Sequence, residues 1–213
     1  LAVATWRRNP VWNDNATLAL TDVRSMPRSA KLQAGAGLAR ADAGDRPGAE
    51  AAFRRAIEIY PDYAQMRYNL AVLLEARGAN QEALEQAGRA AELAPGNARS
   101  YKLLGPLLER AGRRREALTA YEAGIRLDPP DRWLRFYYGC ALRAEARAAP
   151  ATDTFDALAR ENPSDLAGTL AQAMLLEARG ETERARAVYR WALTQPGLPA
   201  AAAERLRTLL TAR

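Results

Sequence analysis

The chain has 213 residues, of which 48% are hydrophobic and 26% are charged, and its net charge is +6. It contains no histidine and one cysteine, which excludes a Ser-His-Asp triad, an internal disulfide and a multi-thiolate metal site. The basic residues are scattered among acidic ones, so we expect no nucleic-acid binding, and no internal run reaches the roughly 18 apolar residues of a membrane span.

The first 29 residues precede the regular part of the chain. Residues 1–12 are predicted to be a linker of the kind found beside a membrane, because Trp6 and Trp12 flank two arginines, a mixture favoured at membrane surfaces. The alternative is a capping segment, in which Trp12 covers the open face of the first repeat. Residues 13–29 are predicted to be the second helix of an incomplete repeat.

A period of 34 residues organises the chain that follows. Proline recurs with this period, although the chain has only twelve prolines, at Pro27, Pro61, Pro95, Pro129 and Pro163. Such spacing indicates an array of repeats that bury their apolar faces against neighbouring repeats. Five full repeats are predicted, at residues 30–63, 64–97, 98–131, 132–165 and 166–199.

Each repeat is predicted to contain two helices. The eighth position holds only glycine or alanine, and the twentieth holds only alanine. Larger side chains at positions four, seven and eleven mark one face of a first helix, which ends near a glycine at position fifteen. Proline at position thirty-two ends the second helix. Aromatic residues at position twenty-four are expected to fill the space between helix pairs, and they are Phe53, Tyr121, Phe155 and Tyr189.

The residues at these recurring positions resemble the tetratricopeptide repeat. That repeat has the same length and carries small residues, alanine, aromatic residues and proline at the same positions. The resemblance covers residues 30–199. It implies an all-α fold, a right-handed α-solenoid of five helix-turn-helix repeats with a preceding half repeat. Residues 200–213 are predicted to be a C-terminal capping helix, with Leu206 on its apolar stripe and Arg205 away from that stripe.

The fourth repeat departs from the pattern. Ala146 replaces the turn glycine, and Pro150 follows it. We therefore expect a connection of a different shape in this repeat. It is either an ordinary variant turn, which we favour, or a bend that opens the groove beside it.

The inner face of the first helices is the predicted binding surface. In arrays that this chain resembles, positions two, five, nine and twelve of each first helix line a concave face. Flat aromatic rings beside charges of both signs suit an extended peptide or a helix. The alternative is that the rings pack inside the wall. The predicted partner-binding residues are Tyr68, Val72, Glu75, Arg99, Lys102, Glu109, Trp133, Phe136 and Arg143, and no catalytic, cofactor-binding or metal-binding residue is predicted.

The segment before the first repeat carries a second resemblance. It is similar to the junction in transmembrane O-mannosyltransferases that have tetratricopeptide tails. The matching residues are Thr5, Arg8, Asn9, Trp12, Leu18 and the run Pro27, Arg28, Ser29, Ala30 and Lys31. The resemblance implies a soluble extracytoplasmic domain of a membrane glycosyltransferase-like protein, periplasmic in a bacterium, with the catalytic residues in the membrane half.

Two functions therefore remain open. The first is a scaffold that binds a polypeptide partner or substrate and reaches the membrane only through a region preceding this sequence. The alternative is a free-standing adaptor or assembly scaffold unrelated to glycosyl transfer. The alternative to a periplasmic location is the cytoplasm, because the adjacent arginines at positions 7 and 8 favour the cytoplasmic side by the positive-inside rule.

Overall fold

The computed structural model describes residues 26–211, and every regular element in that part of the chain is an α-helix. None of these helices is long and apolar enough to cross a membrane. Numbered α1 to α11 in chain order, they are Ala30–Asp42, Arg46–Ile59, Ala64–Ala76, Asn80–Leu93, Ala98–Arg110, Arg114–Leu127, Arg132–Ala144, Ala148–Glu161, Leu166–Ala178, Thr182–Ala192 and Ala200–Thr211. The predicted linker at residues 1–12 and most of the half repeat at residues 13–29 lie outside the described residues.

The helices form two compact units, and each is described by itself. The first unit ends at Pro95 and contains α1 to α4, and the second begins at Gly96 and contains α5 to α11. Consecutive helices pack on each other from α1 to α4 and again from α5 to α10. In the second unit α7 also contacts α5 and α9, so the first helices of successive repeats lie side by side.

In the first, third and fourth repeats, an aromatic ring of the second helix lies directly on a glycine of the first helix. A Cβ atom added to Gly37 would lie 2.5 Å from the Phe53 ring, and one added to Gly139 would lie 2.7 Å from the Phe155 ring. Gly105 lies against the Tyr121 ring in the same way. The position-twenty-four ring therefore packs against the first helix of its own pair, and the Tyr121 ring also lies 6.1 Å from the Tyr137 ring of the next pair.

The turn inside the fourth repeat has the same shape as the others, so the expected difference is wrong. Ala146 has a φ of 57°, in the left-handed region, where Gly112 has a φ of 74°. The Arg147 N–H donates to the Leu142 carbonyl at 2.9 Å, as the Arg113 N–H donates to the Leu108 carbonyl at 2.9 Å. These turn hydrogen bonds outweigh the cost of a left-handed alanine, which is roughly 1–2 kcal/mol.

Polar caps start the first helices of the second unit. The side chains of Asn97, Asp131 and Asp165 accept hydrogen bonds from backbone N–H groups in the first turns of α5, α7 and α9, at 3.1, 2.9 and 2.7 Å. Each cap satisfies a donor that the helix itself leaves unpaired. The caps recur with the 34-residue period, so they fix where each first helix begins.

We expect Ala146→Gly to raise the free energy of unfolding by about 1 kcal/mol, because glycine adopts the left-handed conformation without steric cost. Gly112→Ala is the matched control in the preceding repeat, and it should lower the free energy of unfolding by a similar amount. Chemical denaturation of both variants measures the two changes. A loss of stability in Ala146→Gly would contradict the structure of this turn.

Candidate functional site

The nine predicted binding residues are divided between the two units. Tyr68, Val72 and Glu75 lie on α3 in the first unit. The other six lie on α5 and α7 in the second unit, namely Arg99, Lys102, Glu109, Trp133, Phe136 and Arg143. The two sets are therefore separate candidate surfaces.

The surface of the first unit presents two exposed apolar side chains one period apart. Leu38 on α1 and Val72 on α3 both occupy the ninth position of their repeats, and they are 45% and 38% exposed. Tyr68 and Glu75 on α3 are half-buried. We call Leu38, Tyr68, Val72 and Glu75 the first-unit face, and its two most exposed members are apolar.

The corresponding surface of the second unit is already engaged within the chain. Lys102 pairs with Asp131 at 2.7 Å, and Asp131 also caps α7. Arg143 pairs with Glu177 at 2.6 Å, which links the same position of consecutive repeats. Lys102 and Arg143 therefore already have ion-pair partners within the chain, and a bound molecule would have to exchange these ion pairs.

Glu177 is held from a second side by Tyr189. The Tyr189 hydroxyl donates to the Glu177 carboxylate at 2.9 Å. Burial raises the pKa of Tyr189 well above its usual range, and the neighbouring Glu177 carboxylate raises it further. The phenol therefore stays protonated and remains a hydrogen-bond donor, which fixes the carboxylate that Arg143 binds.

Glu109 binds a residue from the end of the chain. Its carboxylate forms an ion pair with Arg205 of α11 and accepts a hydrogen bond from the Tyr121 hydroxyl at 3.1 Å. The Arg205 guanidinium also donates to that hydroxyl at 3.1 Å and lies 5.4 Å from the centroid of the Tyr137 ring. Burial lowers the pKa of Arg205 to about 10, so the side chain is still charged at neutral pH.

Phe136 cannot serve as the anchor that the sequence predicted. It is fully buried, with an exposed fraction of 0%, and its ring contacts the rings of Trp133, Tyr137 and Phe155. The aromatic cluster of α7 therefore packs inside the wall, which was the alternative interpretation. Trp133 is half-buried and keeps one accessible part.

The C-terminal helix α11 occupies the inner surface of the second unit. The sequence predicted a helix that covers the last repeat, and α11 does contact α10. Its side chains also reach α5, where Arg110 pairs with Glu204 at 2.7 Å. Arg205 was predicted to lie away from the contact surface, and this is wrong, because Arg205 forms the central contact with Glu109.

A cavity of about 360 Å³, open to solvent, lies between α11 and the helices α5 and α7. Its walls on α5 and α7 include Pro106, Glu109, Cys140 and Arg143, which we call the second-unit face. Cys140 is buried, and burial raises its pKa to about 12. A thiol with that pKa is protonated at neutral pH and is a poor nucleophile.

The sequence profile of the tetratricopeptide repeat matches residues 35–98 and 102–166, which is more than half of the chain. The chain belongs to the tetratricopeptide repeat family. The predicted fold class, an all-α tetratricopeptide repeat protein, is confirmed. A search of curated proteins by sequence finds no match.

Several solved tetratricopeptide structures share this fold. YrrB, described as a TPR protein with an unusual peptide-binding site, matches with a TM-score of 0.68 at 17% identity, over 89% of this chain and 97% of that one. PilF of Pseudomonas aeruginosa matches with a TM-score of 0.67 at 16% identity, over 97% and 93%. MamA matches with a TM-score of 0.65 at 17% identity, over 79% and 92%. These identities show the fold alone.

The family determines the general function. Tetratricopeptide repeat proteins are generally non-catalytic scaffolds that bind polypeptides, and this chain has the fold of such a scaffold. Among residues 26–211, no three His, Cys, Asp or Glu side chains are grouped so that they could hold a metal ion. The surfaces described above are therefore candidate protein-binding surfaces.

We expect Phe136→Ala to lower the free energy of unfolding by about 3 kcal/mol or more, because it removes a fully buried ring. Val72→Ala, at an exposed position of the first-unit face, should change it by less than about 0.5 kcal/mol. Urea denaturation measures both variants. Equal effects of the two substitutions would contradict the burial of Phe136.

Proposed function

We propose that this chain is a scaffold that binds a polypeptide through the first-unit face. The observation that carries the proposal is the pair of exposed apolar side chains, Leu38 and Val72, at the same position of consecutive repeats. Full burial of an exposed side chain of this kind contributes roughly 1.5–3 kcal/mol, and the exposed fractions of Leu38 and Val72 make up somewhat less than half of that each. Tyr68 lies one turn before Val72 and adds an aromatic surface, which favours binding of an apolar peptide segment.

A polar group near this face supports the same function. The Asn69 carbonyl oxygen accepts a hydrogen bond from the Gln65 side chain at 3.1 Å. Its amide nitrogen is buried and has no hydrogen-bond partner among residues 26–211. A rotation of this side chain toward the first-unit face would give its nitrogen a backbone carbonyl of a bound peptide as acceptor.

We further propose that this chain is one part of a longer membrane protein. The resemblance of the segment before the first repeat to transmembrane O-mannosyltransferases supports a role as the extracytoplasmic, periplasmic domain of a membrane glycosyltransferase-like protein. In that role the scaffold holds a polypeptide substrate or partner near the membrane. The coding sequence upstream of Leu1 tests this extension: a series of hydrophobic spans is expected, and a start codon close to Leu1 would indicate a free-standing adaptor instead.

Binding to the first-unit face is tested with peptides selected from a displayed random library on the intact chain. We expect the selected peptides to be rich in apolar residues and the double variant Leu38→Asp, Val72→Asp to bind them at least about tenfold more weakly. Leu127→Asp is the matched control, because Leu127 is 44% exposed on α6 in the second unit. Equal affinities of the double variant and the control would refute the first-unit face as the binding site.

A further inference from the structure

The connection that precedes α11 separates this helix from the regular stack of repeats. Residues 193–199 separate α11 from α10 and contain Pro196, Gly197 and Pro199. Gly197 has a φ of 82°, in the left-handed region, and lies in a turn. The helix then crosses the second-unit face, so the inner surface of this unit is already occupied by a helix.

One stripe of α11 faces the second-unit face. The side chains that border the cavity follow the spacing of a single helix face and are Ala201, Glu204, Arg205, Thr208 and Leu209. Two of them make charged contacts, because Glu204 binds Arg110 and Arg205 binds Glu109. The surface therefore selects a helix with an acidic residue directly followed by a basic residue.

The fit of α11 is incomplete. The cavity of about 360 Å³ lies where Ala201 and Thr208 present short side chains. The Nε atom of Arg205 is buried and has no hydrogen-bond partner within the described part of the chain. The open cavity leaves part of this contact unfilled, and a buried unpaired donor weakens the contact. A helix with larger apolar side chains at these two positions would fill the space that α11 leaves.

We propose that the second-unit face is a binding site for an amphipathic helix of a partner protein and that α11 is its intramolecular competitor. The partner helix carries adjacent acidic and basic residues, which bind Arg110 and Glu109. It carries bulky apolar residues at the positions that match Ala201 and Thr208. The inference rests on the proposed scaffold function. It specifies a second ligand of that scaffold, besides the polypeptide that binds the first-unit face.

The short connection between α10 and α11 determines how α11 and a partner helix compete for the second-unit face. A helix held by a short connection has an effective concentration in the millimolar range at its own site. A partner helix with the same contacts would therefore bind weakly. A helix that also fills the cavity gains the contacts that α11 lacks, so the face discriminates in favour of the bulkier ligand.

The probe for this proposal is a fluorescent synthetic peptide with the sequence of residues 199–211. It carries leucine at the positions of Ala201 and Thr208. Its binding to the intact chain is measured by fluorescence anisotropy. Arg205→Ala weakens the competitor, so we expect this variant to bind the peptide at least about tenfold more tightly than the unmodified chain does. Arg207→Ala is the matched control, because Arg207 is exposed on the same helix, and it should bind as the unmodified chain does.

Glu204→Ala provides a second variant if Arg205→Ala loses helicity. Glu204 is exposed, and its removal breaks only the pair with Arg110, so we expect peptide affinity to rise by about threefold. Equal affinities of the unmodified chain and both contact variants would overturn the proposal. Absence of peptide binding in all variants with intact helicity would overturn it as well.

Two further measurements separate the possible causes of failure. The double variant Leu38→Asp, Val72→Asp should keep full affinity for the probe peptide and lose the library peptides. If the unmodified chain and Arg205→Ala fail to bind the probe while the double variant still loses the library peptides, this inference is rejected and the first-unit face stays in place. Concentration-dependent dimers of the unmodified chain that the probe dissociates would identify α11 of a second copy as the occupant. That result would overturn the assignment to a separate partner.

Discussion

The contact between a flat ring and a residue with little or no side chain determines how closely the two helices of a repeat approach. Tyr121 on α6 lies against Gly105 on α5, and Phe155 on α8 lies against Gly139 on α7. A side chain at either glycine would push the ring away and separate the helices. Because this close approach recurs at the same position, the first helices present their remaining faces in register.

The two units present surfaces of different character. In the first unit the ninth positions carry Leu38 and Val72, which remain exposed. In the second unit the ninth positions of the third and fourth repeats carry Pro106 and Cys140, which are buried and border the cavity beside α11. One scaffold thus has an open apolar face in one unit and a face occupied by its own helix in the other. The same repeat backbone supports both surfaces, because the side chains at the ninth positions do not determine how the two helices of a repeat pack together.

The sequence predicted the repeats well and the site only in part. Residues that recur with the 34-residue period determine the helix pairs, so the periodicity of Pro61 and Gly112 was sufficient to place them. Ala146 was misjudged because the hydrogen bonds of the turn, and not the residue type, fix its conformation. The burial of Phe136 depends on three neighbouring rings, which a count of positions does not reveal.

The placement of α11 could not be predicted from periodicity at all. Arg110 and Glu204 are 94 residues apart, and neither belongs to a recurring column. The sequence showed an amphipathic helix with a leucine stripe, and the position of Arg205 on that helix suggested exposure to solvent. In the structure the guanidinium is buried because Glu109, the Tyr121 hydroxyl and the Tyr137 ring together compensate its charge. Such a contact depends on how distant parts of the chain fit together, and it produces no recognisable pattern in the local sequence.

The most direct test of the claim that α11 covers the second-unit face is the reactivity of the single cysteine. Cys140 is buried beside the cavity, and its pKa is raised to about 12, so a disulfide reagent at pH 8 should modify it about a thousandfold more slowly than in the urea-unfolded chain. Release of α11 by Arg205→Ala should accelerate the modification at least about tenfold without loss of helicity, whereas Arg207→Ala should leave it unchanged. Rapid modification of the unmodified native chain, or equal rates in the two variants, would contradict the account.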